Sequence, residues 1–128
     1  MDQLKLDTRN VGGFLIVALQ GRLDAAVALD LKEALRRLIA EGSLHLLIDL
    51  AKVEFIDSTG LSVLITALKS TSSLGGDVVL LRPTSTVRSI IELTRLHCVF
   101  RVYDSESVAL RAVATTSAVV NPVVPDPA

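Results

Sequence analysis

Apolar residues in this chain come in two rhythms, and the switching between them lays out the elements. Phe14-Leu15-Ile16-Val17-Ala18-Leu19, Leu46-Leu47-Ile48-Asp49-Leu50 and Val78-Val79-Leu80-Leu81 are short, nearly continuous apolar runs, the pattern of strands covered on both faces. Between them the period lengthens. Val27, Leu31, Leu35 and Leu38 repeat at helical spacing, as do Leu61, Leu64, Ile65 and Leu68, and later Val87, Ile90 and Ile91, each marking one apolar face of a helix. Leu4-Lys5-Leu6 alternates and predicts a short edge strand, with Val11-Gly12-Gly13 as a hairpin turn. Gly21-Arg22-Leu23-Asp24 ends the first long strand, and Asp24 is a candidate N-cap for the helix that follows, which Glu41-Gly42-Ser43 closes. Ala51 to Ile56 reads as a connection, Gly75-Gly76-Asp77 as the end of the second helix, Thr84 to Thr94 as a short helix, Cys98 to Tyr103 as a strand and Ser105 to Ala114 as a last helix. Helices that return between apolar strands argue an α/β domain. The predicted sheet is mixed and mostly parallel, of about five strands with about four helices, its first strand antiparallel through the hairpin.

At 128 residues the chain is one domain, predicted over 1–116. Residues 117–128 (SAVVNPVVPDPA) carry three prolines and no period, and read as a loose tail. The core must be aliphatic, because half the residues are hydrophobic and only 3% aromatic. A formal charge of −1 argues against nucleic acid and against a polybasic membrane site. No apolar run is long enough to span a bilayer, and residues 1–5 lack the order of a secretory signal. Cys98 is the single cysteine, which fits a reducing cytosol. A cytoplasmic domain is expected.

The stretch that carries chemistry is Val53-Glu54-Phe55-Ile56-Asp57-Ser58-Thr59-Gly60-Leu61. Asp57 and Ser58 are both good N-cap residues at the point where the helical pattern starts. Ser58, Ser62, Thr66 and Lys69 or Ser70 lie on a second face of that helix, small and polar near the serine. Asp57-Ser58 as a plain helix cap is the simplest reading. Catalytic alternatives fail on spacing. Ser58 and Thr59 both stand between Asp57 and Gly60, so the aspartic-protease D-[ST]-G is absent, and Ile56 occupies the first glycine position of a nucleophile elbow. Nothing in the sequence orients His45 or His97 toward Ser58. No metal-ligand spacing surrounds Cys98, and no glycine-rich nucleotide motif is present. No enzyme of its own and no bound cofactor is therefore expected.

The segment closely resembles the phosphorylation-site segment of STAS domains, in particular the anti-sigma factor antagonists. Gly21-Arg22-Leu23-Asp24 is similar to that family's G-x-L-D, and Gly75-Gly76 also fits. The resemblance covers about Leu4 to Ala114. It implies the STAS fold, with Ser58 as phosphate acceptor. It further implies that the unphosphorylated protein binds an anti-sigma factor that is also an ATP-dependent serine kinase, and so frees a sigma factor. Phosphorylation ends the complex, and a serine phosphatase resets it. By this resemblance Asp57 and Asp24 belong to the docking surface, which Thr59, Gly60 and Ser62 complete through their small size. ATP and magnesium would belong to the partner. Thr59 stands where many relatives have serine, leaving two hydroxyls as candidate acceptors. Ala25 and Ala26 replace residues that are often polar. A scaffold subunit of a sensory assembly, or a subunit of a lipid-transport complex, are the alternative roles of such a domain.

A phosphate on Ser58 adds roughly −1.5 to −2 charges. It is expected to meet free amides at the helix N-terminus and the positive end of the dipole, while Asp57 repels it. The fold should tolerate it; a partner seated over Ser58 should not.

Overall fold

The computed structural model describes residues 4–119. β1 (Lys5–Val11) turns through Gly12-Gly13 into β2 (Phe14–Leu23), with Val11 opposite Phe14. Both glycines have positive φ, +56° and +91°, as the two-residue hairpin loop requires. The chain then runs α1 (Ala25–Ala40), β3 (His45–Ile56), α2 (Ser58–Ser73), β4 (Asp77–Leu81), α3 (Ser85–Leu93), a 3₁₀ turn at Leu96–Cys98, β5 (Arg101–Tyr103) and α4 (Glu106–Val119). The five strands lie in the order β1-β2-β3-β4-β5. β1 is antiparallel to β2 and every other pair is parallel. The mixed, mostly parallel α/β architecture is the one the sequence pattern predicts.

Alternate residues of the strands face two cores. Leu15, Val17, Leu19, Ile48, Leu50, Val78 and Leu80 pack against α1, α2 and α3 through Val27, Leu31, Leu35, Leu61, Leu64, Val87 and Ile91. Ile16, Leu47, Val79 and Leu81 pack on the opposite face against Ala109 and Val113 of α4. Strands added in one direction by right-handed crossovers place three helices on one side, so the other side has α4 alone.

Several boundaries differ from the sequence expectation. β1 runs to Val11 rather than ending at Leu6. β2 continues through Gly21, which takes φ +99° where the register to β3 shifts. β3 likewise continues over Ala51 to Ile56 instead of becoming a connection, because Gln20, Gly21, Arg22 and Leu23 pair with Lys52, Val53, Phe55 and Ile56. The two bulges shift the pairing register while the alternation of Ala51, Val53 and Phe55 with Lys52 and Glu54 continues the strand. Conversely, the strand expected from Cys98 shrinks to Arg101–Tyr103, since 96–98 close a 3₁₀ turn after Arg95 at φ +64°. α4 extends past Ala114 to Val119, so 117–119 are helical. The remainder of the expected tail, 120–128, lies outside the described residues.

Candidate functional site

The extension of β2 and β3 brings two helix N-termini side by side. Leu23 pairs with Ile56 at the ends of the strands, so Asp24 and Asp57 enter α1 and α2 as neighbours. Asp57, not Ser58, is the N-cap of α2. Its Oδ1 accepts from the Thr59 amide at 2.9 Å, the Gly60 amide at 3.0 Å and the Thr59 hydroxyl at 2.5 Å. Its Oδ2 accepts from the Ala25 amide at 3.2 Å, the first residue of α1. One carboxylate thus ties together both helix starts. The bond from the Thr59 hydroxyl is the largest influence on its pKa; burial opposes it, and the Gly60, Ala25 and Thr59 amides tip the balance, holding the pKa below the ordinary aspartate value.

Asp24 caps α1, accepting from the Ala26 amide at 3.1 Å. Its other oxygen lies 3.6 Å from Arg22 Nε, and the Arg22 guanidinium sits 4.4 Å over the Phe55 ring, an arrangement favourable for a cation on an aromatic face. Arg22 and Phe55 are paired in the sheet, so the arginine links the two strands that deliver Asp24 and Asp57. Both stand in the segments that the sequence marks, but the sequence alone gives neither a role at the site. Their adjacency depends on the bulged register, although G-R-L-D already places the arginine two residues before Asp24.

Ser58 is the first residue of α2, exposed, with no hydrogen-bond partner for its side chain among the described residues. Thr59 is exposed as well, but its hydroxyl is engaged by Asp57. The two hydroxyls are therefore not equivalent. Ser62 and Thr66 continue the exposed polar face one and two turns on. Gly60 differs from expectation: it is buried, and a Cβ there would stand 2.3 Å from the Leu23 carbonyl oxygen and 2.9 Å from Ile56 Cγ1. Its smallness serves a contact inside the protein. The picture of free amides awaiting a phosphate also changes, because Asp57 already occupies those of Thr59 and Gly60. A phosphate on Ser58 would project outward beside two carboxylates.

The imidazole of His45 starts β3, roughly 35 Å of strand away from Ser58, and pairs with Asp77 at 3.5 Å. His97 is exposed. Among the described residues no three His, Cys, Asp or Glu side chains gather to hold a metal ion, and no helix is long and apolar enough to cross a membrane.

Residues 5–109 match the model of the STAS domain. The chain belongs to the STAS domain family. Within that family it is 31% identical over 113 residues to the anti-sigma-F factor antagonist of Mycobacterium tuberculosis, covering 88% of this chain and 91% of that one. It is 28% identical over 118 residues to the anti-sigma F factor antagonist of Paenibacillus polymyxa, covering 89% and 98%. Among solved structures, an anti-sigma factor antagonist from Mycobacterium paratuberculosis superposes with a TM-score of 0.79 at 27% identity, over 87% of this chain and 94% of that one. This STAS domain is thus one of the anti-sigma factor antagonist family. The fold itself is more widely used: a sulfate transporter family protein from Wolinella succinogenes shares it at a TM-score of 0.72 and 21% identity, over 86% of this chain and 92% of that one. Function must therefore be argued from the site.

Proposed function

We propose that this STAS domain, with Ser58 unmodified, docks on an anti-sigma factor that is also a serine kinase, and that phosphorylation of Ser58 dissolves the complex. The kinase transfers the γ-phosphoryl of its ATP to Ser58 Oγ; the new O–P bond replaces the one to ADP, and the serine proton passes to a base of the partner. A serine phosphatase returns the hydroxyl by hydrolysis. The supporting observation is the contrast between neighbouring side chains: Ser58 is exposed and unbonded, whereas Asp57 and Thr59 are locked together at the cap. A hydroxyl held on a rigid helix start and free to move is suited to attack.

The surface around it consists of Asp24, Asp57, Thr59 and Ser62, with Gly60 beneath them. The carboxylates suit a partner that presents basic groups, and the short side chains let it approach closely. On modification, the dianion finds the nearest amides taken and two carboxylates beside it. It gains little within the domain and must be desolvated on docking, which costs about 2–5 kcal/mol when a charge is left unpaired in an interface. Binding then weakens at least thirtyfold, roughly the lower end of that range.

The test is titration of the candidate kinase with wild type, Ser58→Ala and Ser58→Glu, with phosphosite mapping after incubation with ATP. The expected result is phosphate on Ser58 alone, persistent binding by Ser58→Ala in ATP, and weak binding by a fully folded Ser58→Glu. Phosphate on Thr59, or undiminished binding by Ser58→Glu, would refute the reading.

A further inference from the structure

The face of the sheet opposite Ser58 holds a second candidate site. α4 covers Ile16, Leu47, Val79 and Leu81, but it leaves Ala18, Gln20 and Ala51 beside an open cavity of about 380 Å³. That volume sits at the small end of ligand pockets. Ala18 and Ala51 leave the floor unfilled, where larger side chains would have closed it. Around the cavity stand Lys5, Arg9, Lys52 and Arg82, four cations against the carboxylates of Asp7 and Asp49 in the lining and of Glu106, which reaches Arg9 from α4.

The arrangement is built rather than incidental. Asp49 is 7% exposed in the middle of β3, and a buried carboxylate is retained only when paired. Its Oδ2 binds the Arg82 guanidinium and its Oδ1 accepts from the Ala51 amide at 3.0 Å. Arg82 itself has φ +52°, a left-handed backbone that an arginine adopts at a cost, and such strain clusters at ligand clamps. Arg9 is held from α4 by Glu106, at 2.5 and 3.3 Å. Lys5 and Lys52 have no ion-pair partner among the described residues. Two arginines are thus positioned by carboxylates, and the two lysines outnumber the one carboxylate left over, that of Asp7. No aromatic ring lines the cavity.

We propose that this cavity binds a small organic dianion with a short, non-aromatic body, a dicarboxylate or a phosphate monoester. One anionic end is taken by Lys5 and Lys52, and the other by the outer N–H groups of Arg82 and Arg9. The site is separate from Ser58, and nothing in it depends on phosphorylation.

Titration of the full chain with malate and, separately, glycerol 3-phosphate, followed by ¹H–¹⁵N correlation spectra at constant ionic strength, tests this. The expected result with at least one probe is saturable shifts centred on Ala18, Gln20, Ala51 and Lys52; which probe saturates first separates carboxylate from phosphate chemistry. Lys52→Gln should weaken binding about tenfold, the loss of one charge-assisted contact. Lys69→Gln, on α2, should not change it. Shifts that do not saturate with either probe, that centre on Asp57 to Leu61, or that Lys52→Gln leaves unaltered, would overturn the proposal. Lys5 and Lys52 are both exposed, and retention of the wild-type spectrum outside the cavity checks that the variants fold.

Discussion

Gly60→Ala sets two opposing effects against each other at the centre of the site. Gly60 is a helical residue, and replacing glycine by alanine inside a helix ordinarily stabilises by about 1 kcal/mol. Against this, the new methyl would lie 3.1 Å from the Leu23 carbonyl carbon, 2.9 Å from Ile56 Cγ1 and only 2.3 Å from the Leu23 carbonyl oxygen, the last more than 1 Å short of the roughly 3.5 Å at which such atoms rest. The nearest atom is backbone, and that backbone is committed: Leu23 O accepts from the Asp57 amide at 3.2 Å. Overpacking of this kind costs about 1–3 kcal/mol, and parting the Leu23–Asp57 hydrogen bond adds about 1 kcal/mol. The contact wins. A net loss of about 2 kcal/mol is expected, lowering Tm by roughly 5–10 °C for a chain of this size. Thermal unfolding and urea titration give the magnitude, and amide shifts at Leu23, Asp24 and Asp57 show where the strain goes. The displacement also moves Asp24 relative to Ser58, so binding to the proposed kinase partner should weaken beyond the fraction of protein unfolded. A variant as stable as wild type, with unmoved Leu23 and Asp57 amides, would refute the close-approach reasoning.

Asp57→Ala removes the acceptor for three amides and one hydroxyl and should cost about 1–2 kcal/mol by denaturant titration, while Asp57→Asn keeps the α2 cap and loses mainly the link to Ala25. Because Asp57 has a folded pKa below its ordinary 3.8, the stability it supplies is present above that value and is lost as pH falls through the depressed one; unfolding curves between neutral and strongly acidic pH should lose this component in Asp57→Asn relative to wild type. On α1, Leu31→Ala, at a position with 0% exposure, should destabilise by about 2–5 kcal/mol. Two residues away Leu29 is 75% exposed, and Leu29→Ala should stay within about 0.5 kcal/mol of wild type by the same measurement.

Local pattern alone determined the α/β class, the helix faces and the placing of Asp57-Ser58 at a helix start, because period and capping chemistry are properties of neighbouring residues. Resemblance carried by D-S-T-G pointed to the family. Tertiary structure decided the rest. Residues 51–56 lose the continuous apolar run at Lys52 and Glu54 but alternate with Ala51, Val53 and Phe55 as a half-buried strand does; that they prolong β3, and in what register, is set by β2 running alongside with matching bulges. That pairing is what sets Asp24 beside Asp57, lets one carboxylate cap two helices, and places the Leu23 carbonyl where Gly60 alone can pass. It also settles the roles of adjacent residues that the sequence leaves open: Thr59 bonded, Ser58 free, Gly60 internal. The charged cavity on the opposite face has no linear signature at all, since Lys5, Asp49 and Arg82 meet only across four strands. Short-range stereochemistry can be read from one segment at a time, whereas a contact between distant segments exists only once the sheet register has brought them together.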